Sequence, residues 1–320
     1  MTSHPDGTLE LAARLRRDDL ARSPAYEGPP AAVEFHRGML ARSAHLSVLE
    51  GPHGARAMVA RLEADVPAHG VGTTHLLMHR RRADPEALAW VVSHLPDVLA
   101  DARHTPSVML PADELDLRLH LLRAGLRIQH VTQVGRVDEA LGRLRAAAFE
   151  PLPEGLRWVD MAPEHADAVA DLKVEAFSDG RFAFFGAGAG FRQQARAAVL
   201  SPRPFSGRRQ VLEDDQGAAG LVELHHRLDD AHNTGGSAGV DIVLAPRLRG
   251  RGLTWPIYRY LLQSLQSDGI AWLKGATAQP AIMRVGRQLG RVVTAMTLRR
   301  DAPFDEAWFV AHLPELPHTG

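Results

Sequence analysis

Residues 240–267 read VDIVLAPRLRGRGLTWPIYRYLLQSLQS, which is an apolar strand, a turn rich in glycine and arginine, and an amphipathic helix. Val240–Ala245 has the apolar, β-branched composition of a strand. From Leu253 to Ser267, leucine and isoleucine recur every fourth position, at 253, 257, 261 and 265, and build one apolar helix face. The order of strand, glycine turn and helix predicts an α/β fold with a ligand site at the turn.

The turn between this strand and helix predicts an anion-binding site. Gly250 and Gly252 permit positive φ and let a ligand approach the backbone closely. Unpaired amides at a helix N-terminus, together with the helix dipole, bind phosphate oxygens. Arg247, Arg249 and Arg251 add three guanidinium groups around the same turn. A pyrophosphate is the ligand that suits this combination best.

Two other phosphate motifs do not match this turn. A Walker loop requires a lysine after its last glycine, whereas Leu253 and Thr254 follow Gly252. A dinucleotide fingerprint requires a third glycine three positions beyond the second, where this sequence has Trp255. Neither class of nucleotide-binding domain therefore fits.

The segment resembles the phosphate loop of the GNAT-type N-acyltransferase superfamily, whose pattern is Q/R-x-x-G-x-G/A. The residues RLRGRG at 247–252 match every position of it. The V-x-P phrase that precedes the loop in the family appears as Leu244-Ala245-Pro246. Gln279-Pro280 opens a later helix where the family usually has an asparagine. The resemblance covers about residues 156–300.

The resemblance implies an acetyl-CoA site and transfer of an acetyl or other acyl group to an amine by direct attack. In the family the pantetheine lies along the strand, here Asp241–Leu244, with the thioester carbonyl near the amide of Leu244. The pyrophosphate rests on the turn, here Arg249–Thr254. The acceptor would be a small-molecule amine or an amine of a peptide or protein. The residues expected to contact the cofactor are Ile242, Val243, Leu244, Arg247, Arg249, Gly250, Arg251, Gly252, Leu253, Thr254 and Gln279.

The groups that move protons are harder to assign from the sequence. The tyrosine that often protonates the departing thiolate in the family falls at Gly286. Tyr258 and Tyr260 on the preceding helix could compensate, although the ordinary interpretation is that both belong to the packing face of an amphipathic helix. As the base for the amine we single out the strand carboxylates Asp241 and Glu223, either of which could instead pair with an arginine.

The order of elements occurs twice along the chain. Each half is predicted to contain a helical segment, a group of strands, a helix, a strand, a helix and a strand, and EPLPEG at 150–155 has the composition of a linker. The fold class that this predicts is α/β (α+β mixed), with two tandem GNAT-like domains at 1–150 and 151–320. Each domain would be a mixed, mostly antiparallel sheet flanked by helices. The alternative is that any two α/β stretches align this well.

The first half lacks the glycine turn. Its counterpart is MHRRRADP at 78–85, where no glycine occurs and Pro85 removes an amide. We therefore predict a degenerate first domain that has lost cofactor binding and serves as a scaffold or as a wall of the acceptor site. The basic residues of this turn are expected to lie exposed on the surface.

Two further segments carry predictions. In the resembled family the loop between the two early helices covers the acceptor, so Phe182, Phe184 and Phe185 are candidates for a substrate wall. Burial of these rings in the core is an equally good interpretation. Residues 306–313 have the composition of a last strand, which could pair within the second half or complete the first.

Composition excludes several classes of function. With 37 basic and 38 acidic side chains among 320 residues, the chain has no global charge that would attract nucleic acid or a membrane. The absence of cysteine excludes disulfides, thiol nucleophiles and thiolate metal sites. His225 and His226 are adjacent and point to opposite faces of a strand, so they cannot chelate one metal together, and no metal site is predicted. No signal segment or spanning run is found, and a cytoplasmic location is expected.

Two functions remain open at this point. One is the N-acetyltransferase, and the other is a CoA-binding sensor or scaffold without turnover. Gly286 and the degenerate first half favour the second.

Overall fold

A computed structural model describes residues 4–22, 32–66, 71–100, 102–146, 151–178, 190–201, 205–228 and 235–299. Its helices are α1 Asp6–Ala21, α2 Val33–Leu40, α3 Pro85–Ser93, α4 Leu95–Ala100, α5 Leu115–Arg123, α6 Val137–Ala146, α7 Ala166–Ser178, α8 Phe191–Leu200, α9 Thr254–Ser267 and α10 Pro280–Gln288. Its strands are β1 His45–Gly51, β2 Gly54–Val66, β3 Val71–Arg80, β4 Pro106–Pro111, β5 Arg127–Arg136, β6 Arg157–Asp160, β7 Gly207–Asp214, β8 Gly217–Arg227, β9 Ser237–Leu244, β10 Trp272–Thr277 and β11 Val292–Arg299. The mixed α/β class is confirmed.

The chain divides into two compact units. Unit 1 comprises Met1–Pro67, Val71–Val131 and Val293–Gly320, and unit 2 comprises Ala68–Gly70 and Thr132–Val292. The sequence predicted one boundary near residue 150, whereas the chain passes from unit 1 to unit 2 within β5 and returns at the start of β11. Strand exchange of this kind leaves no mark in composition, because a strand has the same residue pattern whichever sheet receives it.

Unit 1 has the strand order β1-β2-β3-β4-β11-β5. The first three strands form an antiparallel meander, β3 and β4 are parallel, and β11 is antiparallel to β4 with Ala295 opposite Pro111. Helices α1 and α2 pack on this sheet through a core that includes Ala12, Leu40 and Met58. The tail strand predicted at 306–313 lies outside the described residues.

Unit 2 has the strand order β10-β9-β8-β7-β6, with the last residues of β5 beside β10. Strands β6 to β9 are antiparallel and β9 is parallel to β10. Helices α6 and α9 cover one face of this sheet, where Leu141 and Leu261 are buried, and α7 covers the other, where Val169 is buried. Even-numbered residues of β9 therefore face α9, and Val243 faces α7.

Helix α6 was not predicted from the sequence, which indicated only a linker at 150–155 in this region. The helical spacing of Val137, Leu141 and Leu144 carried the signal, since all three are buried. Asp84 is the N-cap of α3, because its side chain accepts a hydrogen bond from the amide of Ala87. In the part of the chain that is described, no helix is both long and apolar enough to cross a bilayer.

Candidate active site

The glycine turn between β9 and α9 is open at the start of the helix. Residues Pro246–Leu248 form one 3-10 turn, and Gly250 and Gly252 follow, each with φ of +74°. A Cβ at either glycine would meet no atom within 4 Å, so glycine is required there by the backbone angle and not by crowding. Leu253 provides no side-chain cap to α9. Among the described residues the amides of Gly252, Leu253 and Thr254 donate to no acceptor, so they are left for an external one.

The three arginines of the turn differ in their partners. Arg247 forms an ion pair with Asp214, with Nε 2.8 Å from Oδ2. Arg249 donates from Nε to the carbonyl oxygen of Leu244 at 2.9 Å and from Nη2 to Glu175 at 3.2 Å. Arg251 is exposed and makes no ion pair or hydrogen bond within the described residues. Two of the three predicted phosphate-binding guanidinium groups thus also brace the turn.

Strands β9 and β10 separate towards the glycine turn, and the space between them is here called the cleft. The two strands pair from Ser237 with Trp272 to Gly239 with Lys274, and both then continue without pairing to each other. Ala245 donates its amide to Ala219 at 2.8 Å, in line with the β8–β9 ladder. Because amides alternate in an antiparallel ladder, those of Ile242 and Leu244 point to the opposite edge of β9, towards β10.

The other predicted cofactor residues lie on β9, at the start of α9 and at the start of α10. Thr254 is the first residue of α9, and Val243 is buried on the opposite face of β9 from α9. Gln279 is the N-cap of α10, two residues after β10 ends, and its amide donates to Thr277 Oγ1 at 2.9 Å. The side chains of Ile242 and Leu244 pack on the core under α9, so only their backbone is directed into the cleft.

The two candidate bases are opposite each other in the β8–β9 register but have different surroundings. Glu223 is 2% exposed, and its two oxygens lie 2.5 Å from Lys173 Nζ and 3.0 Å from Arg209 Nε. Asp241 is 63% exposed and its Oδ2 lies 3.3 Å from His225 Nε2. Glu223 is therefore the buried counter-ion of two cations, whereas Asp241 is accessible from solvent.

Glu223, His225 and Asp241 each place one ligand atom within 4.8 Å of the others. Both oxygens of Glu223 are already taken by Lys173 and Arg209, and these positive charges oppose a divalent cation. His226 lies apart from this group, with Nε2 3.6 Å from Asp268 Oδ2, in keeping with the opposite faces predicted for the two histidines.

At position 286 on α10, where the resembled family often has a tyrosine, the space beside the glycine is filled by a side chain of β5. Gly286 is buried, and a Cβ there would overlap the side-chain amide of Gln133 on β5. Gln133 donates from Nε2 to the carbonyl oxygen of Met283 at 3.2 Å. Tyr260 donates to Gln210 and stacks on Trp158, with ring centroids 4.6 Å apart.

Tyr258 is buried, and a hydrogen bond links its phenol to Arg291. Sequence reasoning missed Gln133, Arg291 and Lys173. Only Lys173 carried a signal, as one of the two lysines in the chain.

The corresponding turn of unit 1 contains an acidic residue in place of an open anion site. Asp84 Oδ1 accepts the amide of Ala87 at 3.0 Å, and Arg56 binds Asp84 with Nε 2.6 Å from Oδ2. The hydrogen bond from Arg56 lowers the pKa of Asp84 to about 2. A carboxylate of the chain itself therefore occupies the start of α3.

The expectation that the basic residues of this turn lie exposed is wrong, because Arg81 and Arg82 are half-buried and the other two are buried. Arg80 is buried and donates to Glu114 at 2.8 Å. His79 is buried and hydrogen-bonded through Nδ1 to Asp19 Oδ2 at 2.8 Å. Buried acids on distant segments draw these side chains inwards, which no local pattern reports. The predicted substrate wall of Phe182, Phe184 and Phe185 lies outside the described residues.

No protein-family model and no curated protein matches the sequence. Solved structures do match its fold. A GCN5-related N-acetyltransferase from Sphaerobacter thermophilus is 15% identical, with 95% of this chain and 96% of that one covered and a TM-score of 0.59.

Two other structures also match over nearly the whole chain. A tandem GNAT protein from the clavulanic acid biosynthesis pathway is 16% identical, with 95% of this chain and 98% of that one covered and a TM-score of 0.51. An acetyltransferase of the GNAT family from Colwellia psychrerythraea is 12% identical, with coverage of 91% and 96% and a TM-score of 0.51. This chain therefore has the fold of the GCN5-related N-acetyltransferases, in a tandem form.

Proposed function

We propose that the protein is an acyl-CoA-dependent N-acyltransferase whose donor site is the cleft of unit 2, with acetyl-CoA as donor and an amine as acceptor. The observation that carries the proposal is the continuity of two features. The uncapped start of α9 lies at one end of β9, and the unpaired edge of β9 leads away from it. A ligand with a pyrophosphate and a long amide-containing arm matches both features.

In this proposal the amides of Gly252 to Thr254 and the guanidinium of Arg251 hold the pyrophosphate, and β9 holds the pantetheine through its free edge. The amide of Leu244 is available to the pantetheine arm, and the amide of Ile242 is available to the thioester carbonyl, where negative charge grows as the amine attacks. Binding both substrates in one cleft supplies orientation, and no covalent enzyme intermediate is needed.

Asp241 is the base that we assign. Its exposed carboxylate can take a proton from the attacking amine, and His225 at 3.3 Å orients it. Glu223 is assigned a different part: it holds Lys173 and Arg209 beneath this surface. The acceptor is thus expected on the face of β8 and β9 that α7 covers in part.

The test of the donor site uses CoA binding by calorimetry and thiol release from acetyl-CoA with a panel of amines. Gly250→Ala/Gly252→Ala should weaken CoA binding at least tenfold, because each Cβ intrudes where phosphates approach. Gly217→Ala/Gly269→Ala is the matched control, since both glycines have positive φ of +100° and +72° and open space around them. Equal affinity in both double variants would refute the placement of the pyrophosphate.

A second function is favoured by one observation, the absence of a tyrosine at Gly286. It is that of a module that binds CoA without turnover. Saturable CoA binding by the wild-type protein, combined with no thiol release from acetyl-CoA for any amine in the panel, would support this module over the enzyme.

A further inference from the structure

Arg291 is a buried cation with only neutral partners. The residue is 5% exposed and precedes β11. Its Nη2 donates to the backbone carbonyl oxygens of Gln133 at 3.0 Å and of Gly275 at 3.4 Å, and its Nε is buried without a partner. Among the described residues, no carboxylate pairs with it, and the one titratable group that acts on its charge is the Tyr258 phenol.

Two strand glycines make the space for this side chain. A Cβ on Gly135 of β5 would lie 2.7 Å from Arg291 Cγ, and a Cβ on Gly275 of β10 would lie 2.6 Å from Arg291 Nη2. The same Cβ on Gly275 would lie 3.5 Å from Val240 Cγ1 on β9. The side chain therefore passes over β5 and ends against Gly275 of β10, on the side of that glycine that Val240 of β9 also approaches.

The guanidinium lies at the closed end of the cleft. The last paired residues of β9 and β10 are Gly239 and Lys274, and Val240 and Gly275 are the next residue of each strand. An acyl-CoA anchored at Gly250–Thr254 and lying along β9 directs its sulfur towards Val240. The reacting end of the donor and the buried guanidinium are thus expected at the same end of the cleft.

Burying an unpaired charge costs free energy, and this cost lowers the pKa of Arg291. Burial lowers the pKa of Arg291, and the Tyr258 phenol opposes that change. Buried charges are normally paired with an opposite charge. No such charge is present among the described residues, but an anion formed during the reaction would supply it without any reorganisation of the protein.

We propose that Arg291 stabilises the thiolate that leaves the acyl donor, in place of the acid that is missing at Gly286; this rests on the proposed function. The amine nitrogen forms a bond to the thioester carbon, the carbon–sulfur bond breaks, and its electron pair stays on sulfur. The proton of the amine goes to Asp241. Arg291 keeps its own proton and donates a hydrogen bond to the sulfur.

The first test uses the wild-type protein and compares CoA with desulfo-CoA by calorimetry from pH 6 to 9. If Arg291 stabilises a thiolate, the pKa of the bound thiol falls below that of the free thiol, for which cysteine at ~8.5 is the guide, and the preference for CoA over desulfo-CoA rises with pH, by up to about tenfold per unit. The described residues around Arg291 are glycines, Gln133 and Tyr258. Of these only Tyr258 has an ionisable side chain, so Tyr258→Phe is the control variant.

A CoA to desulfo-CoA affinity ratio that is constant over this pH range would overturn the assignment of Arg291 while leaving the donor site intact. Failure of both ligands to bind would instead count against the proposed function. These two failures are therefore distinguishable in one experiment. The wild-type measurement also remains decisive if substitutions at Arg291 prevent folding.

The second test compares Arg291→Met with Arg291→Lys, and uses Arg284→Met at an exposed position of α10 as the control for loss of charge. Arg291→Met should lower kcat about 100-fold with little change in KM for acetyl-CoA, and should abolish the pH-dependent preference for CoA. Arg291→Lys should restore most of both. Unchanged kcat in Arg291→Met, or equal losses in the methionine and lysine variants, would assign Arg291 a structural role only.

Discussion

The side-chain amide of Gln133 occupies the space that any side chain at position 286 would need, so that glycine at 286 and glutamine at 133 are complementary. We expect Gly286→Ala to destabilise the protein by about 1–3 kcal/mol, because the new methyl group displaces the Gln133 amide from a packed interior. Urea unfolding measures this change.

The control for that prediction is the double variant Gly286→Ala/Gln133→Ala. Removing the glutamine amide makes room for the methyl group, so the double variant should be less destabilised than the sum of the two single variants by at least about 0.5 kcal/mol. Additive effects would mean that the two residues do not compete for the same space.

Arg251 and Arg247 allow a matched comparison at the proposed phosphate site. Arg251 is exposed without a partner among the described residues, whereas Arg247 is engaged by Asp214. Arg251→Ala should raise the Kd for CoA about tenfold through loss of a charge-assisted hydrogen bond, and Arg247→Ala should change it by less. Calorimetric titration gives both values, and a larger effect of Arg247→Ala would reverse the assignment of the two arginines.

Substitutions at Asp241 and at Glu223 should have different effects, the first on kcat and the second on folding stability. Asp241→Asn removes an exposed carboxylate, so kcat should fall about 100-fold while the midpoint of urea unfolding stays the same. Glu223→Gln leaves Lys173 and Arg209 without their counter-ion and should cost about 3 kcal/mol of folding stability. Parallel kinetic and unfolding measurements decide the matter. Loss of activity in Glu223→Gln at unchanged stability would make Glu223 the base.

Unit 1 should lose stability in mild acid. Burial lowers the pKa of His130 to about 4, and burial likewise lowers the pKa of His79 despite its hydrogen bond to Asp19. Below pH 6.5 the unfolded chain takes up protons that the folded chain refuses, so the stability from these groups is complete above 6.5 and decreases towards pH 4.

For His130 the loss is on the order of 3 kcal/mol at the low end of this range. Urea midpoints measured between neutral pH and pH 4 should show the decrease, and it should be smaller in His130→Gln. The same pH dependence in His130→Gln and in the wild-type protein would contradict the assignment to His130. The pKa of Asp19 is also lowered, but its effect falls below this range.

Local patterns predicted most of the secondary structure and the glycine turn between β9 and α9. The helix predicted from Leu253 forms as Thr254–Ser267, Asp84 caps α3, and Gly250 and Gly252 adopt the positive φ that only glycine adopts easily. These features depend on residues close in sequence, through helical periodicity, capping and backbone conformation. For the same reason the strand before the turn and the helix after it were predicted correctly.

The tertiary structure alone decided which strand β11 pairs with and which groups the charged and polar side chains contact. β11 has the alternating pattern of a strand, but its place beside β4 depends on contacts between segments far apart in sequence. Likewise Arg249 donates hydrogen bonds to the carbonyl oxygen of Leu244 and to Glu175, and Gln133 fills the space beside Gly286. The chain therefore encoded a glycine turn between a strand and a helix locally, whereas the surroundings of Asp241, Glu223 and Arg291 depend on packing over long sequence distances, which no single segment specifies.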